Sequence, residues 1–524
     1  MLARCNGAAL VGLDAIAVAV EVDIAPGLPG LLMVGLPDAA VQESRERVRA
    51  ALRNSGLRMP LTRVIVSLAP ADLRKEGPAF DLPIALAVLA ASGQLDPAAL
   101  TGVWCAGELG LDGRLRPVRG ALALALAARR AGARALLLPA ANGPEAALVE
   151  ELPIWPAADL RQALSWLVEP GRVPSSAGAA ADAGAPIATA EPGLDLADVR
   201  GQPHGRRALE IAAAGGHHLL LVGPPGSGKT MLARCLPGLL PPLSRQERLE
   251  LTLLHSVAGL SSADGGPVAL RQGRPFRSPH HSCSGAALIG GGSLPRPGEL
   301  TLAHHGVLFL DELAEFRRDV LNQLRQPLEA GEVWLSRARQ RLRFPCAVSL
   351  VAATNPCPCG WHGDPERPCS CGTGERQRYW NRLSGPLLDR LDLQVVMWRL
   401  GAEPGIAGER RAESSRRVAE RVVAARRRMQ ARNPGGVCNG RLEGRALLQQ
   451  CRLTTEALEL WQGAVQQRRL SARAADRVLR VARTITDLAA GETPAHGSNA
   501  PEEDAVGPRA IAEALSYRSF DLSP

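Results

Sequence analysis

Lysine is almost absent from this 524-residue chain. Only Lys75 and Lys229 are lysines among 61 basic residues, so nearly every cation is a guanidinium group. Aromatic residues make up just 3% of the sequence, and alanine and leucine fill the predicted helices instead. With 46% hydrophobic and 22% charged residues, the composition is that of a globular protein and excludes a fibrous or low-complexity chain.

Long apolar runs are also missing. No uninterrupted apolar stretch reaches the roughly 18 residues that a membrane-spanning helix needs, and residues 1–9 lack the charged start and apolar core of a secretory signal. We therefore expect a cytoplasmic protein that does not contact a membrane. The chain is too long for one core, and about three domains are the starting expectation.

Basic charge is concentrated in one part of the chain. The net charge is +9, yet residues 404–483 alone carry 18 arginines against seven acidic residues. A basic helical segment of this kind favours a polyanion partner, most simply nucleic acid. The alternative is a solvated arginine-rich face in a chain that uses arginine for nearly all its cations.

A phosphate-binding motif lies near the middle of the chain. The pattern G-x-x-x-x-G-K-[ST] is matched by Gly223, Pro224, Pro225, Gly226, Ser227, Gly228, Lys229 and Thr230. The apolar run 219–222 before it and the helix-forming residues after it predict the strand, loop and helix in which this motif binds a polyphosphate. Lys229 would contact the β- and γ-phosphates of ATP, and the Thr230 hydroxyl would bind Mg²⁺. A chance turn rich in glycine and proline is the alternative.

Two carboxylates follow a second apolar strand. Residues 307–310 are apolar and lead directly into Asp311 and Glu312. Asp311 is predicted to hold Mg²⁺ through water, and Glu312 to orient and deprotonate the attacking water. A third strand, predicted over 347–353, is followed by Asn355, whose side chain could reach the γ-phosphate. A turn-forming asparagine before a proline is the alternative at that position.

Four of the eleven cysteines are clustered. Cys357, Cys359, Cys369 and Cys371 form two C-x-C pairs within 15 residues, whereas the other seven are scattered. In a chain expected in the reducing cytosol, this clustering favours a metal over disulfides. Four thiolates suit a tetrahedral structural Zn²⁺, with His362 as a substitute ligand. Reduced cysteines without a metal are the alternative.

One arginine is a candidate for contact with a neighbouring subunit. Arg390 lies in the segment 379–393, which is predicted to be helical. Ring-forming ATPases place an arginine at the end of this helix, where it stabilises charge on the neighbour's γ-phosphoryl group. An ion pair within the chain, to Asp389 or Asp392, is the alternative.

The remaining residues are predicted to form a helical lid. The lid spans 405–518, and an amphipathic helix begins near Arg473 and runs to about residue 489. An arginine at the start of such a helix can reach back to the nucleotide. Arg473 is the first choice for this role and Arg477 the second.

Two segments of the first 168 residues carry a family signature. Residues 70–79 read PADLRKEGPA, and residues 107–118 begin with GELGLDG and end with RPV. Together they resemble the two signatures of a Lon-type protease domain. That family places its nucleophilic serine directly after Gly-Pro, where this chain has Ala79, and its catalytic lysine falls on Leu122. Both members of the dyad are missing, so we expect a catalytically inactive domain that is structural or binds a partner.

Several sequence motifs of the chain are typical of one family. They are RALEIAAAGGH at 207–217, PGEL and AHHG between 297 and 306, NPCPCG at 355–360 and SGPLLDRLD at 384–392. With the order of the motifs, they resemble the ComM (YifB) group of magnesium-chelatase-like AAA+ ATPases over essentially the whole chain. The resemblance implies a homo-hexameric ring that uses ATP to drive branch migration of DNA in natural transformation and recombination.

The same resemblance implies two hairpin insertions that line a central pore and contact DNA. One would lie near 276–294, a glycine-rich stretch with two adjacent histidines, and the other would span 331–343. In the second hairpin, bulky residues alternate with a row of cations: Arg337, Arg339, Arg341 and Arg343. Such a row could follow a phosphate backbone, and binding would then weaken with salt. A solvated hairpin edge protected by charge is the alternative.

These features together predict an α/β fold in four parts. We expect a Lon-protease-like α/β domain at 1–168, a linker at 169–193, an AAA+ P-loop NTPase core at 194–400 with a zinc-binding insertion at 355–373, and a helical lid at 405–518. The predicted function is an ATP-driven motor on branched or single-stranded DNA, with a protein as a further partner on the amino-terminal domain. A chelatase-type motor subunit that remodels a protein partner, and a nucleotide-gated scaffold with slow turnover, are the alternatives.

Overall fold

A computed structural model describes residues 2–173, 194–260, 270–292, 296–337, 340–383, 385–399, 413–490 and 505–518. Predicted linker residues 174–193 and Arg339 lie outside these ranges. The chain divides into two compact units. The first is drawn from residues 1–187, 245–271 and 336–344, and the second from 188–244, 272–335 and 345–524.

Strands and helices alternate along the first part of the chain. In order, they are β1 (Leu2–Val11), β2 (Asp14–Ala25), β3 (Gly30–Val34), α1 (Ala39–Asn54), β4 (Arg63–Ala69), α2 (Asp81–Ala91), β5 (Val103–Cys105), β6 (Glu108–Leu109), β7 (Leu115–Arg116), α3 (Ala121–Arg130), β8 (Ala135–Pro139), α4 (Gly143–Ala146), β9 (Ile154–Ala157) and α5 (Leu160–Val168).

The middle of the chain carries shorter strands. They alternate with helices in the order α6 (Pro203–Gly215), β10 (Leu219–Val222), α7 (Lys229–Leu239), α8 (Arg245–Ala258), β11 (Phe276–Arg277), α9 (Gly285–Ile289), β12 (Gly290–Gly291), β13 (Arg296–Pro297), α10 (Glu299–Leu302), β14 (Val307–Leu310), α11 (Arg318–Gln323), α12 (Arg325–Ala330), β15 (Glu332–Arg337), β16 (Gln340–Pro345), β17 (Ser349–Thr354), α13 (Thr373–Trp380), α14 (Gly385–Leu388) and β18 (Leu393–Val396).

The described part of the carboxyl-terminal region is helical, as predicted for a lid. Its helices are α15 (Ser415–Arg432), α16 (Gly444–Cys451), α17 (Thr455–Gln467), α18 (Ala472–Ala489) and α19 (Pro508–Ser516). The apolar stripe predicted on α18 is buried, because Val478, Val481, Ile485 and Leu488 all face the core. Among the described helices, none combines the length and the apolar character that crossing a bilayer requires.

A mixed seven-stranded sheet forms the centre of the first unit. Its strand order is β3-β4-β2-β1-β5-β8-β9, and β1 pairs antiparallel with β2 from Leu2 opposite Asp23 to Val11 opposite Asp14. Helix α2 is buried along its whole length, because its residues after Asp81 are apolar on all sides and Asp81 is paired with Ser44 and Arg47. Helix α3 belongs to a separate apolar cluster, against which α8 packs Leu249, Leu253 and Val257.

Five parallel strands form the sheet of the second unit. Their order is β11-β14-β17-β10-β18, so β10 lies between β17 and β18. Val222 ends β10 opposite Thr354 of β17, and Leu310 ends β14 opposite Ala352 of the same strand. The carboxyl ends of three strands therefore meet at one edge of the sheet, where α/β proteins bind their ligands.

One predicted helix is wrong in extent. The segment 379–393 was expected to be a continuous helix, but the structure has α13, which ends at Trp380, and the short α14, which begins at Gly385. Pro386 follows Gly385 immediately, and proline is tolerated only in the first turn of a helix. The chain therefore begins a new helix at this point.

Candidate functional site

The loop between β10 and α7 wraps back on itself. Gly226 and Gly228 have φ angles of 78° and 87°, which side chains with a Cβ atom rarely adopt. At Gly223 the constraint is space, because a Cβ atom would lie 2.4 Å from the Met397 carbonyl oxygen. The Ser227 hydroxyl is buried and has no hydrogen-bond partner among the described residues. The backbone can therefore approach a phosphate closely, and the hydroxyl is available to it.

The Lys229 side chain lies inside this loop. Its amine donates hydrogen bonds to the carbonyl oxygens of Gly223 and Pro224, at 2.6 and 2.9 Å, and lies 3.3 Å from the Asn355 side-chain oxygen. Burial lowers the pKa of the Lys229 ammonium group to about 8, although the nearby Asp311 carboxylate opposes the shift. The cation is thus held where the loop would surround a phosphate chain.

The predicted magnesium ligands are in direct contact. The Thr230 hydroxyl donates a hydrogen bond to the Asp311 carboxylate at 2.9 Å. This hydrogen bond joins the first turn of α7 to the turn that follows β14. The second Asp311 oxygen accepts the backbone N–H of Glu312, also at 2.9 Å. A hydroxyl and a carboxylate are oxygen donors of the kind that Mg²⁺ prefers.

Glu312 contacts a histidine that the sequence did not link to it. The Nδ1 atom of His281 lies 3.1 Å from the Glu312 carboxylate, and the His281 ring stacks on His280 with 4.0 Å between ring centroids. Glu312 itself has φ 51° and ψ 47°, a left-handed backbone that is uncommon for residues other than glycine. Such backbone strain often accompanies functional sites.

A glutamine also contacts the phosphate loop. Gln202 precedes α6 with φ 57°, and its side-chain amide donates to the Ser227 carbonyl at 3.2 Å and to the Trp398 carbonyl. It lies in the turn that leads into α6. The structure therefore joins this turn to the phosphate loop and to the end of β18.

Arg390 is buried and paired within its own chain. Its guanidinium group lies 2.6 Å from the Glu329 carboxylate and donates to the Arg325 carbonyl at 3.0 Å. The side chain is 8% exposed. The sequence offered Asp389 and Asp392 as intrachain partners, but the partner found is on α12.

The lid arginines lie near the other edge of the sheet. Arg477 pairs with Asp392, which immediately precedes β18, at 3.1 Å. Further along α18, the Thr484 hydroxyl lies 2.8 Å from His217, which shortly precedes β10. Helix α18 therefore runs along the amino-terminal edge of these strands, opposite the phosphate loop. Arg473 is exposed and lies one helical turn before Arg477 on α18.

The four cysteines converge as a metal site requires. The sulfur atoms of Cys357, Cys359, Cys369 and Cys371 all lie within 4.8 Å of one another, and three of their pairs are 3.3 to 3.6 Å apart. A tetrahedron of sulfurs about 2.3 Å from a zinc ion has edges of roughly 3.8 Å. The thiolate donor set therefore fits Zn²⁺. The His362 ring contacts Arg376 at 2.8 Å instead of joining the sulfurs.

Hydrogen bonds to sulfur surround this cluster. The backbone N–H of His362 donates to Cys357, and that of Cys359 donates to Cys371, each at 3.3 Å. Desolvation raises the pKa of Cys357 to about 12. Desolvation also opposes ionisation of Cys359, but backbone N–H groups and neighbouring thiols lower its pKa to about 5. At least one sulfur is thus favoured as a thiolate, the form that binds metals.

The predicted DNA-contacting hairpin is present as the pair β15 and β16. On β16, Arg341 and Arg343 are exposed and alternate with buried Leu342 and Phe344, as the pattern predicted. Arg337 ends β15, but its side chain and the whole of Arg339 lie outside the described set. The exposed side of the described strand is therefore cationic.

The second unit is thus an AAA+-type P-loop core with a helical lid. Models of the magnesium chelatase family match most of the chain. The model of magnesium chelatase, subunit ChlI, matches residues 195–404, that of subunit ChlI of Mg-chelatase matches 20–142, and that of the subunit ChlI C-terminal region matches 412–518.

Individual relatives extend this similarity over the full length. The uncharacterised protein YifB of Salmonella typhimurium is 44% identical over 524 residues, covering 99% of this chain and 97% of its own. Competence protein ComM of Haemophilus influenzae is 41% identical over 519 residues, covering 99% and 98%. Lon protease 2 of Bacillus subtilis is 30% identical over 150 residues, 27% of this chain and 26% of its own. The chain therefore belongs to the ComM and YifB family of magnesium-chelatase-like AAA+ ATPases, with a Lon-like amino-terminal region.

Proposed function

We propose that this chain is a cytoplasmic, ATP-hydrolysing motor that forms a homo-hexameric ring and drives branch migration of DNA. The observation that carries the proposal is the meeting of Lys229, the Thr230–Asp311 pair and Asn355 at one edge of the sheet. The similarity to a relative named as a competence protein supports a role on DNA.

The phosphate loop fits ATP by its own chemistry. Lys229, held by two loop carbonyls, would exchange these contacts for the β- and γ-phosphates, and the buried Ser227 hydroxyl would gain a partner. Thr230 and Asp311 would hold Mg²⁺, which supplies charge neutralisation on the phosphates. Gln202 lies close enough to the loop to link nucleotide binding with the end of β18.

Glu312 is the group that would activate water. Its carboxylate follows the magnesium-binding residue directly, and it would accept a proton from the attacking water while Asn355 orients that water or the γ-phosphate. Turnover would then require Glu312 to exchange its contact with His281 for one with water. We expect Glu312→Gln to bind ATP and to lose turnover by about 100-fold or more, because an amide cannot take the proton.

Two arginines would complete the site across subunits. Arg390 would leave Glu329 and approach the γ-phosphate of the adjoining copy, where a guanidinium stabilises charge on the transferring group. Because α18 runs along the opposite edge of the sheet, the exposed Arg473 would serve a nucleotide bound by another copy. Both roles depend on the proposed ring.

The basic hairpin would be the contact to DNA. Arg341, with Arg337 and Arg339 on the same hairpin, would neutralise phosphates of a strand in the pore, without reading bases. Zn²⁺ held by the four cysteines would be structural, because it has four protein ligands and no open position.

A comparison of DNA substrates tests the function directly. Purified protein should hydrolyse ATP faster with four-way junctions than without DNA and should convert junctions into product duplexes, and electron microscopy should show six-fold rings. Glu312→Gln should retain junction binding but yield no products. A protein that binds no DNA, and whose turnover no DNA stimulates, would contradict the proposal.

The second candidate is a chelatase-type motor that remodels a protein partner. The match of magnesium chelatase models along the chain favours it. In that case, turnover would respond to the partner protein and not to junctions. The same assay on purified protein without any partner discriminates the two, because junctions should stimulate turnover only if the chain is a DNA motor.

A further inference from the structure

The cysteine cluster lies against the phosphate loop. Gly360, in the turn after Cys359, has φ 84°, and a Cβ atom at this position would lie 2.8 Å from the Pro225 ring. Pro225 is the third residue of the phosphate loop. The turn between the cysteine pairs therefore packs closely on the loop that would surround the phosphates.

The same cluster begins next to the residue predicted to sense the γ-phosphate. Cys357 is separated from Asn355 only by Pro356, whose carbonyl accepts a hydrogen bond from the Trp380 ring at 3.1 Å. The Asn355 side chain in turn lies 3.3 Å from the Lys229 amine. The cluster thus contacts the nucleotide site from two sides, at Pro225 and after Asn355.

No regular secondary structure of its own holds this turn in place. Residues 357–372 contain neither a helix nor a strand among the described elements, and three prolines and three glycines interrupt them. A metal ion would join the pair Cys357 and Cys359 to the pair Cys369 and Cys371, and such ligation commonly supplies the folding free energy of small segments. Without the ion, the described residues link the two pairs through weaker contacts to sulfur, such as the hydrogen bond from the Cys359 N–H to Cys371.

We propose that metal binding at the four cysteines orders the Gly360 turn against Pro225 and so sets the affinity of the phosphate loop for ATP. The inference rests on the proposed nucleotide site and on thiolate ligation of zinc. It adds a function to the insertion: the cluster supports nucleotide binding, and its occupancy controls that binding.

Metal removal tests the proposal with a readout other than turnover. Zinc content is measured by mass spectrometry, and the dissociation constant of a fluorescent ATP analogue by titration, before and after treatment with a chelator and after zinc is returned. We expect about one zinc per chain, a rise of about tenfold in the dissociation constant on removal, and recovery on return. Cys369→Ser should behave like the stripped protein, whereas Cys438→Ser, outside the cluster, should not.

Two glycine variants distinguish the effect of the Gly360–Pro225 contact on ATP binding from the effect of zinc loss. Gly360→Ala places a Cβ atom against Pro225, whereas Gly363→Ala has a similar φ of 83° but meets the Trp398 ring at 3.3 Å. Both variants retain all four cysteines, so zinc content should stay unchanged. We expect weakened ATP binding in Gly360→Ala and a smaller effect in Gly363→Ala.

The results of these experiments distinguish failure of the zinc inference from failure of the proposed nucleotide site. Equal ATP affinity with and without zinc would overturn the inference and leave the nucleotide site intact. A protein that never binds zinc would overturn it as well. If the zinc-loaded protein does not bind ATP at all, the proposed function fails together with the inference.

Discussion

The two largest described sheets, one in each unit, differ in the residues that lie near the ends of their strands. In the second unit, β10, β14 and β17 lead into the phosphate loop, Asp311 and Asn355, so polar groups converge at one edge. In the first unit, the positions that a Lon-type dyad would occupy carry Ala79 and Leu122, and Leu122 is buried in an apolar cluster. The second unit therefore brings polar groups together at strand ends, whereas the first has apolar side chains at the compared positions, so function must be argued from the site.

The two lysines provide the sharpest version of this comparison. Lys229→Ala should reduce ATP turnover to background, because among the residues that the structure describes only Lys229 is seen to place a cation inside the loop. Lys75 is also buried, but its amine donates to the Pro70 carbonyl within the first unit. Lys75→Met should lower the free energy of unfolding by about 1–3 kcal/mol, since it leaves that carbonyl unpaired, and should not change turnover per folded chain.

Both variants are measured by phosphate release and by thermal unfolding. If Lys75→Met lost turnover without losing stability, the first unit would take part in the chemistry. The chemistry would then not be confined to the second unit.

Arg390 tests whether the site of the second unit is completed by another copy. Arg390→Ala should lower turnover by about 1,000-fold, whereas Glu329→Gln, which removes only the negative charge paired with Arg390, should leave it unchanged. Mixtures of Arg390→Ala with Lys229→Ala should regain activity, because intact sites form where an intact Arg390 adjoins an intact Lys229. Equal losses in both single variants, with no recovery on mixing, would identify Arg390 as a structural ion pair.

The Arg341→Ala variant tests whether DNA binds the cationic hairpin and not exposed arginines elsewhere on the surface. Arg341→Ala should weaken binding of every DNA sequence and reduce the slope of log affinity against log salt by about 1. Arg114→Ala, which removes a side chain that is 83% exposed in the first unit, is the control of matched charge. ATP turnover without DNA should be the same in both. Equal salt slopes would remove Arg341 from the DNA contact.

Ala79→Ser should have the smallest effect. It restores the nucleophile position of the Lon-type signature, but Leu122 supplies no base and is surrounded by apolar side chains. Casein degradation should remain undetectable and ATP turnover unchanged. Peptide cleavage by this variant would show that the first unit still holds a base that we have not identified.

Sequence patterns predicted the strands that lead into the candidate nucleotide site because each is a short, contiguous apolar run. The apolar run 307–310 is β14 as expected, and Asn355 follows β17, although that strand begins later than predicted. Contacts between distant positions left no such pattern. His281 stands in no motif with Glu312, and Glu329 lies far from Arg390 along the chain, so only the structure pairs them.

The first unit was predicted less completely for a related reason. The apolar runs at 15–24, 64–68 and 135–139 predict strands and are found within β2, β4 and β8, but no such run marks β1, which pairs with β2 over its entire length. The stripe Leu249, Leu253 and Val257 on α8 packs with α3, and its position in the chain, shortly after the phosphate-loop helix, gave no sign of this. Periodicity reveals that a face is buried but not what covers it.

The burial of both lysines has a practical consequence. Lys75 is 0% and Lys229 is 9% exposed, so the folded chain offers amine-acylating reagents no freely accessible side-chain target. Acetylation at lysine would require the phosphate loop to open, and bound ATP would shield Lys229 further. Cross-linking of the assembled protein should therefore use reagents for carboxylates, and any amine adduct at Lys229 would report an empty loop.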